Sequence, residues 1–374
     1  MRSSFAWVPL IVVLGGCYLD HGATERDGGT THDAHVEPDV CAFEPGGELF
    51  EVQALSDNLP STPYDVDASG RVYLEVLGDT YRWDAPGELL SLDALTGVSP
   101  WRIARIARVA PDGSLAGQIW HGEQTHAFVW SAASGVVDLS LDDTVESSAT
   151  AIGADGMVLV NEARRASLRT TTRHVLPLGL PPDGHSRHAV VQALDVAADE
   201  AGSVVGTSTA DETLDVWRAF VWTHAAGHRL LPNDGALHSR ALAISDDGAF
   251  IVGTASSLTS SVMTPVVWRR EVIARIPLLP LPDLAWGAAT DVNDRGVIVG
   301  TDSGPSATGP EAYGWMMVGE RKLALDALLA EGDAWHVTRA VRVTADLRVL
   351  AVAEREGSDV REAVLLRPRC ALEE

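Results

Sequence analysis

Lysine is nearly missing from this 374-residue sequence: Lys322 is the only one, and 28 basic residues stand against 52 acidic ones, for a formal net charge of −24. A chain this acidic is unsuited to the phosphate backbone of nucleic acids, so we expect no nucleic-acid partner. Apolar residues, in contrast, make up 46% of the chain. That fraction excludes intrinsic disorder for most of the sequence, because enough apolar surface is present to build a core.

The sequence also lacks the short motifs of common enzymes. It contains no Gly-x-Ser-x-Gly, no Cys-x-x-Cys, no phosphate-binding loop and no His-Glu-x-x-His. Residues 65–70 open like a calcium loop, but Val76 stands where the bidentate glutamate is needed, which favours a plain turn. His185 and His188 have the spacing of a metal pair, but two solvated loop histidines are the simpler interpretation. We therefore predict no catalytic residue, no cofactor and no metal site.

Cysteine occurs only three times, and the first one, Cys17, follows an export signal. Residues 5–14 form an apolar run that is too short to cross a bilayer. The sequence Leu-Gly-Gly-Cys that ends at Cys17 resembles a bacterial lipobox. The resemblance implies that residues 1–16 are a lipoprotein signal peptide and that Cys17 is the lipid attachment site, anchoring the protein to a membrane. Tyr18 after the cysteine implies sorting to the outer membrane, and an ordinary secretion signal with a chance cysteine is the alternative.

The segment after the signal peptide has almost nothing to bury. Residues 17–40 are rich in Asp, Glu, His, Thr and Gly, a composition that predicts a flexible acidic tether behind the lipidated cysteine. The histidines of such a tether have no fixed geometry in which to hold a metal. The rest of the chain, residues 41–374, is predicted to form a single domain.

Glycine-tipped turns recur through residues 41–374 and indicate an internal repeat. Each unit contains an Ala-rich apolar segment, the turn, a Val/Ile segment, an aromatic segment and a Leu-rich segment. Four short strands in a period of about 46 residues are typical of a β-propeller blade. We predict an all-β, seven-bladed β-propeller of four-stranded antiparallel blades. The turn residues are Gly70, Gly113, Gly156, Gly202, Gly248 and Gly296, with Leu347 in the seventh place.

Tryptophan ends the third segment of most units, at Trp83, Trp130, Trp222, Trp268 and Trp315. Two units depart from this pattern. The third unit has RTTTRHV in this place and the seventh has EAVLL. Because the third unit is degenerate, a count of six or eight blades stays open.

The second unit contains His126-Ala127-Phe128, and a related Arg-Ala-Phe stands in the fourth unit. Over residues 62–346 the repeat resembles the HAF family of extracellular repeats, which takes its name from this tripeptide. The resemblance implies an exported, propeller-like repeat protein. It supplies no catalytic motif and no biochemical role.

Both ends of the predicted domain are expected to share the last blade. The chain ends too soon after the seventh unit to supply its fourth strand, whereas residues 47–55, GELFEVQAL, echo residues 87–95, GELLSLDAL. We expect the N-terminal segment to supply the outer strand of the last blade, which leaves the ring without an open seam. Cys41 and Cys370 flank this junction, so we expect a disulfide between them in an oxidising compartment. Two unpaired thiols are the alternative.

Loop lengths point to one face of the predicted ring. Turns between first and second strands are short, whereas connections on the opposite face are longer, and loops on a rigid scaffold are where function concentrates. Trp101, Trp286 and Trp335 precede the first strands of three blades on that face. They are candidates to surround the channel mouth, where indoles suit stacking on sugars or capture of a cation. Packing between blades is the alternative role for these side chains.

These observations favour a lipid-anchored binding or interaction scaffold of the cell envelope, held at the outer membrane, whose ligand is a glycan, a peptide or an envelope protein. The second hypothesis is an envelope glycoside hydrolase or lyase with carboxylates at the mouth of the propeller channel. A purely structural surface component is the third. An enzyme needs two carboxylates or a His–acid pair in one pocket, so the presence of such a pair discriminates between the first two.

Overall fold

The computed structural model describes residues 43–85, 87–180, 190–199, 201–209, 216–256, 262–269, 272–281, 283–304, 312–331 and 334–370, and the backbone of residues 40, 41, 371 and 372. Nearly all regular structure in these residues is β. The exceptions are a five-residue α-helix, α1 (Leu92–Thr96), and a 3-10 turn over Leu325–Leu328. Among the described residues, no helix has the length and apolar character needed to cross a membrane.

Seven four-stranded antiparallel sheets follow one another along the chain, and each is one blade of a β-propeller. This arrangement confirms the predicted fold class. Blade 1 contains β3 (Ser61–Val66), β4 (Val72–Val76), β5 (Asp79–Asp84) and β6 (Glu88–Ser91). Blade 2 contains β7 (Arg102–Val109), β8 (Leu115–His121), β9 (Gln124–Ser131) and β10 (Gly135–Asp138). Blade 3 contains β11 (Ser147–Ile152), β12 (Val158–Glu162), β13 (Arg165–Arg169) and β14 (Val175–Pro177).

The remaining blades repeat this order. Blade 4 contains β15 (Val190–Val196), β16 (Val204–Thr209), β17 (Arg218–Thr223) and β18 (Gly227–Leu230). Blade 5 contains β19 (Ser239–Ile244), β20 (Phe250–Ser256), β21 (Met263–Arg269) and β22 (Val272–Arg275). Blade 6 contains β23 (Trp286–Val292), β24 (Ile298–Ser303), β25 (Ala312–Val318) and β26 (Arg321–Ala324). Blade 7 contains β27 (Trp335–Val343), β28 (Val349–Arg355), β29 (Arg361–Pro368) and, from the N-terminal end, β2 (Phe50–Ala54).

Antiparallel pairing gives the ring two different faces. The hairpins between first and second strands and between third and fourth strands lie on one face, which we call the turn face. The hairpins between second and third strands and the connections between blades lie on the other, the loop face. First strands of neighbouring blades contact one another, so they surround the central axis.

Positive φ angles at the tips of the inner hairpins explain the repeated glycines. Gly70 has φ 85° and Gly202 has φ 55°, conformations that cost glycine little and other residues more. Leu347 occupies the same place in blade 7 with φ 67°. Its side chain is buried in the apolar cluster between blades 6 and 7, which offsets the backbone cost.

Apolar side chains fill the spaces between neighbouring blades. Each of the seven core clusters combines residues of two adjacent sheets. The repeated tryptophans belong to these clusters, and Trp83, Trp268 and Trp315 are among the largest fully buried side chains. The indole N–H of Trp268 donates to the carbonyl of Pro232 at 2.6 Å, so burial leaves this polar atom satisfied.

Blade 3 corrects one detail of the prediction. The segment RTTTRHV, expected to be its third strand, mainly forms the turn between β13 and β14. Only two residues join β12 to β13, and the first of them, Ala163, has φ 52°, so the third strand begins earlier than in other blades. Blade 3 therefore has four strands, and the ring has seven blades rather than six or eight.

The N-terminal segment completes blade 7, as predicted. β2 pairs antiparallel with β29 along its whole length, beginning with Phe50 opposite Pro368. Leu49 and Phe50 are fully buried in the cluster between blades 6 and 7. The backbone of β1 (Val40–Cys41) runs parallel to β30 (Ala371–Leu372), with Val40 opposite Ala371. Both ends of the described chain therefore meet beside the outer strands of one blade.

Candidate functional site

Every first strand carries a β-bulge two residues before its end. A bulge inserts one unpaired residue and re-aims the side chains next to it. The residue that follows the bulge has the same position in all seven blades, and we call these seven residues the channel ring. In blade order they are Asp65, Arg108, Ala151, Asp195, Ala243, Asp291 and Arg342.

Ion pairs connect the charged members of the channel ring across the axis. Nη2 of Arg108 lies 2.6 Å from Oδ1 of Asp195, two blades further round the ring. Arg342 lies between two acids, with Nε 3.4 Å from Oδ1 of Asp65 and Nη1 3.5 Å from Oδ1 of Asp291. All three carboxylates are at least nine-tenths buried, so these pairs are screened little by solvent.

The same aspartates hold neighbouring blades together. In each case the second carboxylate oxygen accepts a hydrogen bond from a backbone N–H at the end of the next blade's first strand. The donors are Val109 for Asp65 at 2.8 Å, Ile244 for Asp195 at 3.1 Å and Val343 for Asp291 at 2.8 Å. Each ring carboxylate therefore faces an arginine with one oxygen and a backbone N–H with the other.

A cavity of about 460 Å³ lies against the ring and opens among the inner hairpins of the turn face. Asp65, Arg108, Asp291 and Arg342 line it, together with residues of the hairpins themselves. Asp67, Asp246, Asp294 and Asp346 also line it, at the inner hairpins that form its mouth, together with Arg348. The cavity is therefore acidic at its entrance and contains compensated charges at its base.

Burial raises the pKa of two of these acids. It raises the pKa of Asp291 to about 6, although the charges of Arg342 and Arg108 oppose the shift. Burial and the charge of Asp294 also raise the pKa of Asp246 at the mouth. Burial alone would lower the pKa of Arg108. The negative charges of the ring aspartates outweigh this effect and raise the pKa, so the guanidinium stays protonated.

The three predicted tryptophans lie on the loop face, away from this cavity. Trp286 begins β23 and is 41% exposed. Trp335 begins β27, packs against the cluster between blades 6 and 7, and has the guanidinium of Arg355 4.6 Å from its ring centroid. Trp101 packs partly between blades 1 and 2. Trp101 and Trp335 thus contribute to packing between blades, and Trp286 presents the most open of the three indoles.

Exposed apolar side chains are concentrated on the loop face. The described part of the chain has ten large apolar residues with exposed side chains. All but Val272 lie in hairpins, strand ends or connections of this face. We call them the loop-face apolar set. Its members are Leu59, Leu77, Leu95, Trp120, Leu141, Leu237, Val262, Leu281 and Trp286.

Several sequence-predicted positions lie elsewhere. Cys17, His185 and His188 are outside the described residues. The backbone of Cys41 pairs with Leu372, two residues beyond Cys370, so the predicted disulfide partners come from paired segments. The suspected calcium loop is a turn in which the Asp67 carboxylate accepts from the backbone N–H groups of residues 69 and 71.

No family model and no curated protein matches this sequence. Solved structures match its fold. The tricorn protease matches at 12% identity and TM-score 0.51, over 86% of this chain and 36% of that one, and an ancestral GH74 enzyme at 10% identity and TM-score 0.54, over 84% and 49%. TolB from Acinetobacter baumannii matches at 12% identity and TM-score 0.41, over 91% and 87%. Identities this low show a shared propeller fold alone.

Proposed function

We propose that this protein is an exported, lipid-anchored β-propeller that binds a partner protein of the cell envelope on its loop face. The loop-face apolar set supports the proposal, because exposed apolar side chains gathered on one face mark interaction surfaces more often than isolated ones do. Leucines together with Trp120 and Trp286 suit a protein surface better than a sugar. The net charge of −24 favours a partner with a basic rim around an apolar centre.

The route of the chain agrees with this proposal. β1, the first described element, runs beside β30 at the junction of the two chain ends, on the turn-face side of blade 7. The proposed tether, residues 17–40, joins the propeller at this point. A lipid at Cys17 would then be connected to the propeller through the turn-face side of blade 7, and the connection would not run over the loop face.

The alternative of a glycoside hydrolase has one observation in its favour. Asp246 and Asp291, two carboxyls with raised pKa, line the same cavity. Asp291, however, pairs with Arg342 and accepts from the N–H of Val343, so its oxygens are already occupied. A general acid or nucleophile needs an oxygen free to meet substrate, and we therefore favour binding over hydrolysis.

Photocrosslinking in a bacterial envelope tests the proposed surface. Leu77 on the loop face and Val272 on the turn face are both 68% exposed, so they form a matched pair of positions for a photoreactive amino acid. We expect the probe at position 77 to yield a discrete crosslinked protein and the probe at 272 to yield none. Leu59 immediately precedes Pro60, whose carbonyl accepts from the backbone N–H of Leu77, so Leu59→Asp should reduce the product at least about tenfold.

Val272→Asp is the control substitution for this experiment and should leave the product at position 77 unchanged. Equal products from positions 77 and 272, or a product indifferent to Leu59→Asp, would contradict the proposal. A glycan and peptidoglycan binding screen with Trp286→Ala separates the remaining possibility. Glycan binding that depends on Trp286 would replace the protein partner by a carbohydrate.

Export and anchoring are tested by the state of the three cysteines. We expect alkylation of the mature protein without reduction to label none of them, because Cys17 carries lipid and Cys41 is bonded to Cys370. After reduction, two cysteines should become labelled, and Cys17→Ser should release the protein from the membrane fraction. A disulfide that closes so long a loop contributes on the order of 4–5 kcal/mol to stability. Labelling of Cys41 and Cys370 before reduction would contradict the disulfide.

A further inference from the structure

Blade 2 brings two histidines and two aspartates together at its loop-face end. His121 ends β8, His126 lies in β9, Asp138 ends β10 and Asp143 belongs to the connection to blade 3. One ligand atom from each of these four side chains lies within 4.8 Å of the others. None of these residues lines the central cavity, so the cluster is separate from the channel ring.

Two hydrogen-bond contacts connect three of the four ligand atoms of the cluster. Nδ1 of His121 is 3.2 Å from Nδ1 of His126, and Nδ1 of His126 is 2.8 Å from Oδ2 of Asp138. Ligand atoms around a tetrahedral zinc ion are roughly 3.4 Å apart, because each lies about 2.0–2.2 Å from the metal. Small side-chain rotations therefore bring these atoms to the spacing of a zinc site.

Buried neighbours hold the ligands in place. His126 is fully buried, and among the described residues its Nε2 has no hydrogen-bond partner, so the ring makes its polar contacts through Nδ1 at the cluster. Oδ1 of Asp138 accepts from the N–H of Ser140 at 2.8 Å, which turns Oδ2 toward His126. The indole of Trp101 meets the His121 ring edge-on, with centroids 5.6 Å apart. The hydrogen bond that Asp138 accepts from Ser140 is of the kind that orients the carboxylate ligands of metal ions.

We propose that this cluster binds one transition-metal ion of the zinc class through Nδ1 of His121, Nδ1 of His126, Asp138 and Asp143. Two imidazole nitrogens with two carboxylates favour zinc or a similar divalent metal over calcium or magnesium, which take oxygen ligands. The ion joins the outer strands of blade 2 to the connection that leads into blade 3. This inference goes beyond the proposed partner binding and is carried by different residues.

Metal titration of the full chain tests the proposal. The protein is purified without a polyhistidine tag, stripped with a chelator and titrated by calorimetry with Zn²⁺ alone and by absorption with Co²⁺ alone. We expect one site that gives cobalt the visible absorption of tetrahedral nitrogen and oxygen ligation. His121→Ala and Asp143→Asn should each weaken zinc binding at this site at least about 100-fold, since each removes a direct ligand.

The controls separate the cluster from other histidines and acids. His224→Ala in blade 4 and Asp359→Asn in blade 7 change exposed side chains of other blades and should leave the site intact. Asp143 is exposed, so Asp143→Asn should keep the fold even if His121→Ala does not, and circular dichroism checks both. Absence of a tetrahedral site in the parent chain, or equal affinity in the parent and in Asp143→Asn, would overturn the proposal.

Discussion

Replacing Arg108 by methionine should lower the free energy of unfolding by about 3–5 kcal/mol at pH 7, because it leaves the buried carboxylate of Asp195 without its cation. Urea unfolding followed by fluorescence measures the change, with an unaltered m-value as the sign that the folded state is otherwise intact. The loss should be smaller at pH 5. Asp291, whose pKa of about 6 is held down in part by Arg108, then takes up a proton and the unbalanced charge decreases.

The direction of this pH effect follows from proton linkage. Asp291 has a higher pKa in the folded chain than the ordinary value of 3.8, so the folded state binds more protons between these two values and its stability falls as pH rises. Removing Arg108 raises the pKa further and extends that fall toward neutral pH. If Arg108→Met lowers the free energy of unfolding equally at pH 5 and pH 7, the effect of the substitution is not electrostatic.

The ring itself supplies the compensating substitution. Blades 3 and 5 have alanine at the position of Asp195, in Ala151 and Ala243, so the fold accepts a small apolar residue there. Arg108→Met combined with Asp195→Ala should recover most of the lost stability, with about 1 kcal/mol missing for the hydrogen bond from Ile244. Failure of the double variant to recover would show that packing of the arginine, rather than its charge, matters.

Replacing Phe50 by alanine should destabilise the whole propeller by about 3–5 kcal/mol, although this residue lies in a short strand near the N-terminal end. Its ring is fully buried between blades 6 and 7, and its carbonyl accepts from the N–H of Ala330 at 2.9 Å. Thermal and denaturant unfolding measure the effect. The expected transition is single, because the last blade holds the ring closed.

Glu51→Ala is the matched control in the same strand. Glu51 is exposed, so its loss should change stability by less than about 0.5 kcal/mol. A chain that begins at residue 56 lacks β2 altogether and should fail to fold cooperatively, since β29 is left as an open apolar edge. Equal stability of Phe50→Ala and Glu51→Ala would show that the N-terminal strand is dispensable.

The architecture was accessible from the sequence because each blade repeats the same local chemistry. Glycines at hairpin tips, β-branched second strands and a tryptophan at the end of the third strand recur with one period, and each feature favours the same element. The echo between residues 47–55 and 87–95 also located the closing strand. The likeness between the two segments suggests a strand along the whole of residues 87–95. In the structure that strand ends at Ser91, and residues 92–95 belong to α1.

The candidate sites were not accessible in the same way. Channel-ring residues differ in type from blade to blade, from Asp65 to Arg108 to Ala151, so a repeat pattern hides them. Aligning the seven units on the last apolar residue of each first strand is needed to see that acids and arginines share one position, the residue just before it. The cluster of blade 2 is formed by three strands and a connection, and its ligand spacing matches no short metal motif.

The closing strand has a consequence for the timing of folding during synthesis. β2 is among the first parts of the domain to leave the ribosome and β29 among the last, and contacts between these ends span 321 residues from Glu48 to Arg369. Until the final strands are made, the early strand has no partner and the unfinished ring exposes edges at both ends. Any interruption of synthesis before blade 7 thus leaves a chain that quality-control proteases can attack, whereas the finished molecule closes in one late step.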